Sequence, residues 1–265
     1  MGSRNRPRPE EFNYRPSNAD YRARYGNAQG IKVGPLQDGE KDQRIIMNIA
    51  IDVSGSTQEL WPEMTSCFNE VMMESFRQTA EMSKKVLRVG AVVFSEKIIP
   101  IWEGFEDAKT ITSDRRKKLT EDIIRKAHNG TSADTALYRT MIECLRHSAT
   151  AARILDDDPK YKGNPTKINI CVVTDGANNL EPLDAGAVRE ITDLITDRDQ
   201  VQLVLAYFAT EHGLSHEKFQ AMTKMTGFSD NPYYFNVHRG TVEERARAFR
   251  HFFNIISRRM SDRLI

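Results

Sequence analysis

Residues 44–56 read Arg-Ile-Ile-Met-Asn-Ile-Ala-Ile-Asp-Val-Ser-Gly-Ser, and this stretch decides the fold. Arg44 to Val53 is almost continuously apolar, the signature of a strand covered on both faces, as in a parallel sheet. It ends on Asp52-Val53-Ser54-Gly55-Ser56, where polar side chains follow the apolar run at once. Two later segments have a similar character. Asn129-Gly130-Thr131-Ser132-Ala133-Asp134 opens a helical stretch, and Thr174-Asp175-Gly176 closes the apolar run Ile168 to Val173. In an open parallel α/β sheet such loops meet in a crevice beyond the carboxyl ends of the strands. Asp52 and Asp175 would converge there with the hydroxyls of Ser54, Ser56 and Thr131, an all-oxygen set suited to a hard divalent cation.

Outward from this stretch, strands and helices alternate. A long helix is expected over Leu60 to Lys84, with Pro62 in its first turn, where a missing N–H costs nothing. Met64, Cys67, Phe68, Val71 and Met72 recur at helical spacing and mark its core side. Val86 to Phe94 and Ile98 to Trp102 are strands joined only by Ser95-Glu96-Lys97. That link is too short for a crossover, so the pair is an antiparallel hairpin at a sheet edge. Helices follow over Ser113 to Ala127, Ala133 to Leu155, Gly186 to Asp197 and Ser215 to Met225, the last ended by Gly227. Strands follow over Lys167 to Thr174, Gln200 to Phe208 and Tyr233 to Val237. The final helix opens with a capping box, Thr241-Val242-Glu243-Glu244, and carries the apolar stripe Val242, Ala246, Phe249, Phe253, Ile256 and Met260. The pattern is α/β: a doubly wound, mostly parallel central sheet with one antiparallel edge strand and helices on both faces.

The bulk numbers narrow the class. At 265 residues the chain fits one large domain with tails, and 39% hydrophobic residues suffice for a sizeable core. Lys and Arg number 38 against 37 Asp and Glu, a balance that argues against a dedicated nucleic-acid binder. Cys67, Cys144 and Cys171 are odd in number and form no CxxC pair, so they read as buried thiols in a reducing compartment. No apolar stretch is long enough for a membrane span, and the N-terminus has no secretory pattern. Met1-Gly2 is followed by Arg6 where myristoylation wants Ser or Thr. Residues 1 to 42 read as a flexible leader in which Arg4, Arg6, Arg8, Arg15, Arg22 and Arg24 interleave with Phe12, Tyr14, Tyr21 and Tyr25. His212 and His216 lack the glutamate of a zinc helix, and no phosphate loop or GxSxG elbow occurs.

The three polar segments, in this order and at these places, resemble the metal-ion-dependent adhesion site of von Willebrand factor A domains. The resemblance covers roughly Arg44 to Arg259, a domain of residues 43–260 between the leader and a tail at 261–265. It implies a Rossmann-like fold and a Mg²⁺ site, with Mn²⁺ or Ca²⁺ as alternatives. Ser54 and Ser56 would ligate directly, Thr131 directly when a ligand is bound, and Asp52 and Asp175 mainly through waters. A partner's Asp or Glu would complete the coordination. Asp134 has a sufficient role as an acidic residue in a helix's first turn. Ser229-Asp230-Asn231-Pro232 and Asn178-Asn179 depart from the commoner family pattern without touching the five metal positions.

The implied function is a non-enzymatic, cytoplasmic, metal-dependent protein–protein interaction module of the intracellular branch. Its members partner AAA+ ATPases or stress and defence complexes. Two other classes compete. A Mg²⁺-dependent phosphohydrolase or phosphotransferase would also place an aspartate at a strand end, but position 54 is Ser where a second acid is wanted. A nucleic-acid-associated protein would use the leader and the terminal arginines Arg258, Arg259 and Arg263, which also complement a helix dipole. Each polar segment has a plain structural reading as well: Asp52 as a helix cap, Ser54-Gly55-Ser56 and Asp175-Gly176 as turns.

Overall fold

A computed structural model describes residues 33, 44–82, 86–102, 104–130, 135–158, 165–176, 185–196, 201–209, 214–228, 233–236 and 241–262. The chain divides into two compact units, 1–30 and 31–265, and every described residue belongs to the second. The leader therefore lies outside the described residues apart from Val33, which forms an isolated parallel bridge to Phe105.

The sheet is seven-stranded: β1 Arg44–Asp52, β2 Val86–Phe94, β3 Ile98–Pro100, β4 Glu106–Asp107, β5 Lys167–Thr174, β6 Val201–Ala209 and β7 Tyr233–Asn236. Its order is β3-β2-β1-β5-β6-β7, with β4 also on β2. The β2–β1–β5–β6–β7 pairings are parallel. β3 and β4 pair antiparallel to β2. The helical elements are α1, a composite running from Gly55 to Met82, then α2 Ser113–Gly130, α3 Leu137–Asp156, α4 Ala185–Thr196, α5 His216–Thr226 and α6 Val242–Asp262.

The alternation of β1 builds both cores. Ile45, Met47, Ile49 and Ile51 enter one apolar cluster with α1, α2 and α6. Ile46 and Ala50 enter the other, with α3, α4 and α5. Each fully buried branched side chain of this kind contributes about 1.5–3 kcal/mol relative to exposure. Arg44, Asn48 and Asp52 share the second face, since residues two apart on a strand point the same way. The fold class matches the expectation from the sequence.

Several details differ from it. α1 begins at Gly55, not Leu60, as a 3₁₀ segment Gly55–Leu60, and a π segment Phe68–Met73 interrupts it between Trp61–Cys67 and Glu74–Met82. Over this segment Met73 is fully buried beside Phe68 and Met72, while Val71, expected on the core side, is only partly buried. Asn129-Gly130 close α2 rather than open the next helix, and α3 starts at Leu137. β3 stops at Pro100, although Ile101 N still donates to Ala91 O of β2 at 2.9 Å.

β4 was not expected. It forms because Phe105 lies across β2 at Gly90, where a Cβ would come within 2.7 Å of the ring, and because the buried Arg88 reaches Asp107 at 2.5 Å. The capping box is present: Thr241 N donates to Glu244 Oε2 at 2.7 Å, and Glu244 N to Thr241 Oγ1 at 3.3 Å. Gly227 ends α5 with φ +82°, as its position suggested. Cys67, Cys144 and Cys171 are buried free thiols. Among the described residues, no helix is long and apolar enough to cross a membrane.

Candidate metal centre

The chain runs from β1 outward to β2 on one side and returns to build β5, β6 and β7 on the other. The direction of winding therefore reverses between β1 and β5, the place where open α/β sheets leave a crevice at their carboxyl ends. Ile51 is in register with Val173, so Asp52 and Thr174 end neighbouring strands side by side.

Asp52 is 0% exposed and Asp175 1%. Asp52 Oδ1 accepts from Ser54 N at 2.8 Å, closing a turn, and Oδ2 accepts from Thr174 Oγ1 at 2.6 Å. Thr174 Oγ1 in turn accepts from Gly176 N at 3.1 Å. Ser54 Oγ lies 3.1 Å from Ser56 Oγ, and Ser56 Oγ donates to Asp175 Oδ1 at 3.0 Å. Two loops from different strands thus meet in one oxygen cluster.

Ser54 occupies the N-cap position of the 3₁₀ segment, with φ −62° and ψ 168°, yet its side chain makes no capping bond. A capping serine spends its oxygen on a backbone N–H. This one is turned toward Ser56 instead. Asp52 closes an Asx turn to Ser54 N with one oxygen, rather than the helix cap of the plain reading, since Ser54 holds the N-cap position.

Burial pushes the Asp52 carboxyl above the ordinary aspartate range, against the lowering pull of the hydrogen bonds from Thr174 and Ser54. Among the described residues no cation faces it; both its oxygens are met by neutral donors. Tyr207, in register with Thr174 on β6, is also raised, by burial first, with Asp175 and Asp52 adding to the shift.

The third loop is stitched to the same edge. Val53 N donates to Phe94 O at 2.8 Å, and Ala136 N to the adjacent Ser95 O at 2.8 Å. The Thr135 hydroxyl stands 3.6 Å from where a Cβ on Gly176 would be, a point itself 4.0 Å from Asp52 Oδ2. Of the five residues the sequence singles out, Asp52, Ser54, Ser56 and Asp175 come together. Thr131 lies outside the described residues, as do Asp134, Asn178, Asn179, the 229–232 loop, His212 and Arg263. His216 packs its ring edge against Tyr234 at 4.9 Å.

Sequence reasoning missed Thr174, Thr135, Tyr207 and Thr57. Thr174 stood in the quoted motif, and its hydroxyl beside an aspartate was the available signal. Thr135 and Tyr207 carry no local signal, because their nearness to the site is made by the sheet. Among the described residues no group of three or more His, Cys, Asp or Glu gathers. The donors at the crevice are two carboxylates and neutral hydroxyls, a hard oxygen set that fits Mg²⁺ better than a soft metal.

No protein-family model matches the sequence, and no curated protein matches it. Solved structures share the architecture at low identity. The PilB minor pilin of Streptococcus sanguinis is 12% identical with a TM-score of 0.55, covering 88% of this chain and 64% of its own. Proximal thread matrix protein 1 of the mussel byssus is 12% identical with a TM-score of 0.51, covering 82% of this chain and 48% of its own. A von Willebrand factor type A protein of Catenulispora acidiphila matches more loosely, at 14% identity and a TM-score of 0.48, over 80% of this chain and 42% of its own. The chain spans less than two thirds of the length of each of these proteins, and the likeness to the first two is one of fold.

Proposed function

We propose that this chain is a von Willebrand factor A-type interaction module. A divalent cation, Mg²⁺ by preference, would be held by Asp52, Ser54, Ser56 and Asp175 together with Thr131, and would capture an Asp or Glu of a protein partner. The observation that carries this reading is the Ser54–Ser56–Asp175 oxygen chain, which joins two loops beside a buried aspartate met only by neutral donors among the described residues. A buried carboxylate of this kind favours a positive charge beside it. The cation would supply that charge, and its incompletely neutralised sphere would attract an external carboxylate. Neutral hydroxyls leave the site weakly charged, so affinity without a partner should be low.

The proposed role is binding without turnover, in the cytoplasm, within a complex of the kind served by AAA+ ATPases or by stress and defence systems. The test is partner capture in Mg²⁺ and in chelator, with Ser54→Ala, Ser56→Ala and Asp175→Ala compared at equal thermal stability. Each substitution should reduce Mg²⁺-dependent capture at least tenfold, in line with the cost of disturbing a metal's support. Capture that ignores both chelator and all three substitutions would place the interaction elsewhere. Mg²⁺-dependent phosphatase turnover lost in Asp52→Ala would replace the binding reading with an enzymatic one.

A further inference from the structure

Beneath the exposed serine loop lies a buried polar pair. Thr57 is 0% exposed and Trp61 2%. Thr57 N donates to Ser54 O at 3.0 Å, and Thr57 Oγ1 lies 2.9 Å from the same carbonyl and 3.4 Å from Asp52 O. Trp61 Nε1 donates to Thr57 Oγ1 at 2.5 Å. A hydroxyl has one proton and two lone pairs, whereas an indole N–H can only donate. With the indole proton on one lone pair, the single Thr57 proton is left to point at a carbonyl, and Ser54 O is the nearer. That carbonyl is then gripped twice, by the amide and the hydroxyl of one residue. Ser54 ψ is fixed between these bonds and the Asp52–Ser54 turn, and Ser54 ψ aims the chain that carries Ser56.

Fold formation alone does not call for this arrangement. Position 57 belongs to an apolar environment in which Trp61 and Leu60 are core residues, and a valine would fill the same volume. The amide of Thr57 already secures the first turn of the 3₁₀ segment. The hydroxyl adds a second hold on the carbonyl that sets the path of the chain from Ser54 to Ser56.

We infer that the Thr57 hydroxyl and the Trp61 indole N–H are positioning groups for the cation. They hold Ser54 and Ser56 in place so that both hydroxyls meet the metal without rearrangement of the loop. The inference rests on the metal reading above. Fixing the loop beforehand removes an ordering cost from binding, so loss of the clamp appears as weaker metal affinity.

Mn²⁺ titration and melting in chelator, run on the same proteins, test it. Thr57→Val should weaken Mn²⁺ binding about tenfold and Trp61→Phe by a smaller factor, within the range for groups that orient metal ligands. Thr57→Val also takes the Thr57 acceptor from the buried indole N–H and should lower the metal-free melting temperature. The double variant Thr57→Val/Trp61→Phe removes both polar groups together and should recover most of that stability. Its Mn²⁺ affinity should stay about tenfold down, a separation that a merely structural role would not produce. Thr57→Ser should bind as wild type. Wild-type affinity in the double variant, or Thr57→Ser binding as weakly as Thr57→Val, overturns the inference alone. A wild-type chain that takes up no Mn²⁺ overturns the metal reading and this inference with it.

Discussion

Arg44 and Asp52 stand at opposite ends of β1, on the same face of the sheet, and both are withdrawn from solvent. Their surroundings differ. Arg44 Nη1 donates to Leu155 O, and Nη2 meets Asp156 Oδ1 at 2.7 Å. Asp156 Oδ1 also accepts from Thr166 N at 3.0 Å and Thr166 Oγ1 at 2.6 Å. At that end β1, α3 and the entry to β5 are tied by a charge answered within the chain. Asp52, at the other end, is held by Thr174 and Ser54 and faces no cation among the described residues. One strand thus carries a closed charge and an open one. The closed charge ties the fold together, and the open one is where the proposed cation would sit.

Breaking the closed end should have the largest effect. Asp156→Ala removes the carboxylate that answers the buried Arg44 guanidinium. Removing one member of such a pair costs about 3 kcal/mol or more. For a domain of this size that lowers the melting temperature on the order of 10 °C. The loss should be the same with and without Mg²⁺, because this pair lies at the far end of the strand from the crevice. Thermal melts in both conditions check it. A loss confined to Mg²⁺-containing buffer would show that the two ends are energetically linked.

Asp52→Asn should behave in the opposite way. Asparagine keeps an acceptor for Ser54 N, presents its amide to the Thr174 hydroxyl, and removes a desolvated charge. Metal-free stability should therefore match wild type within about 1 kcal/mol. The ligand effect should disappear. Mg²⁺ at a hundred times its dissociation constant stabilises a protein that binds it only when folded by about 2.7 kcal/mol. The wild-type melting temperature should rise accordingly and return on chelation, while the variant stays still. An Asp52→Asn protein as destabilised without metal as Asp156→Ala would make Asp52 a second structural charge and erase the contrast.

The same contrast explains what could be read from the sequence. The apolar period of β1, the boundaries of β2 and β5, the capping box at Thr241 and the helix stop at Gly227 follow from local rules of backbone and side-chain chemistry. So did the gathering of Asp52, Ser54, Ser56 and Asp175, since a doubly wound topology brings strand ends together. Features closed by distant partners were not legible. The buried charge of Arg88 on β2 is answered by Asp107 of β4, and β4 depends on that pair and on the space above Gly90. The π segment of α1 accompanies the burial of Met73 beside Phe68 and Met72, and Met73 lay outside the helical stripe read from the sequence. Thr57 precedes the expected helix start at Leu60, and nothing local announced its bond to Trp61, which runs beneath the serine loop.

Midway between the two ends, Asn48 supplies the third term of the comparison. It is polar and buried on the same face, but neutral, with Nδ2 donating to Cys144 O at 3.3 Å and Ser148 Oγ at 3.1 Å. Both partners sit on α3, so the bonds set how that helix lies along β1. They are neutral bonds of modest length, and net contributions of this kind are about 1 kcal/mol. Asn48→Ala should cost that amount plus the packing of the lost atoms, a shift of a few degrees in melting temperature. Removing both polar groups of the pair, as in Asn48→Leu with Ser148→Ala, should cost less than Asn48→Ala alone, because no hydroxyl is left without its partner. Mg²⁺ stabilisation should be intact in both proteins. If Asn48→Ala also abolished it, the orientation of α3 would govern the crevice, and the division of β1 into a locked end and a binding end would give way to a single coupled unit.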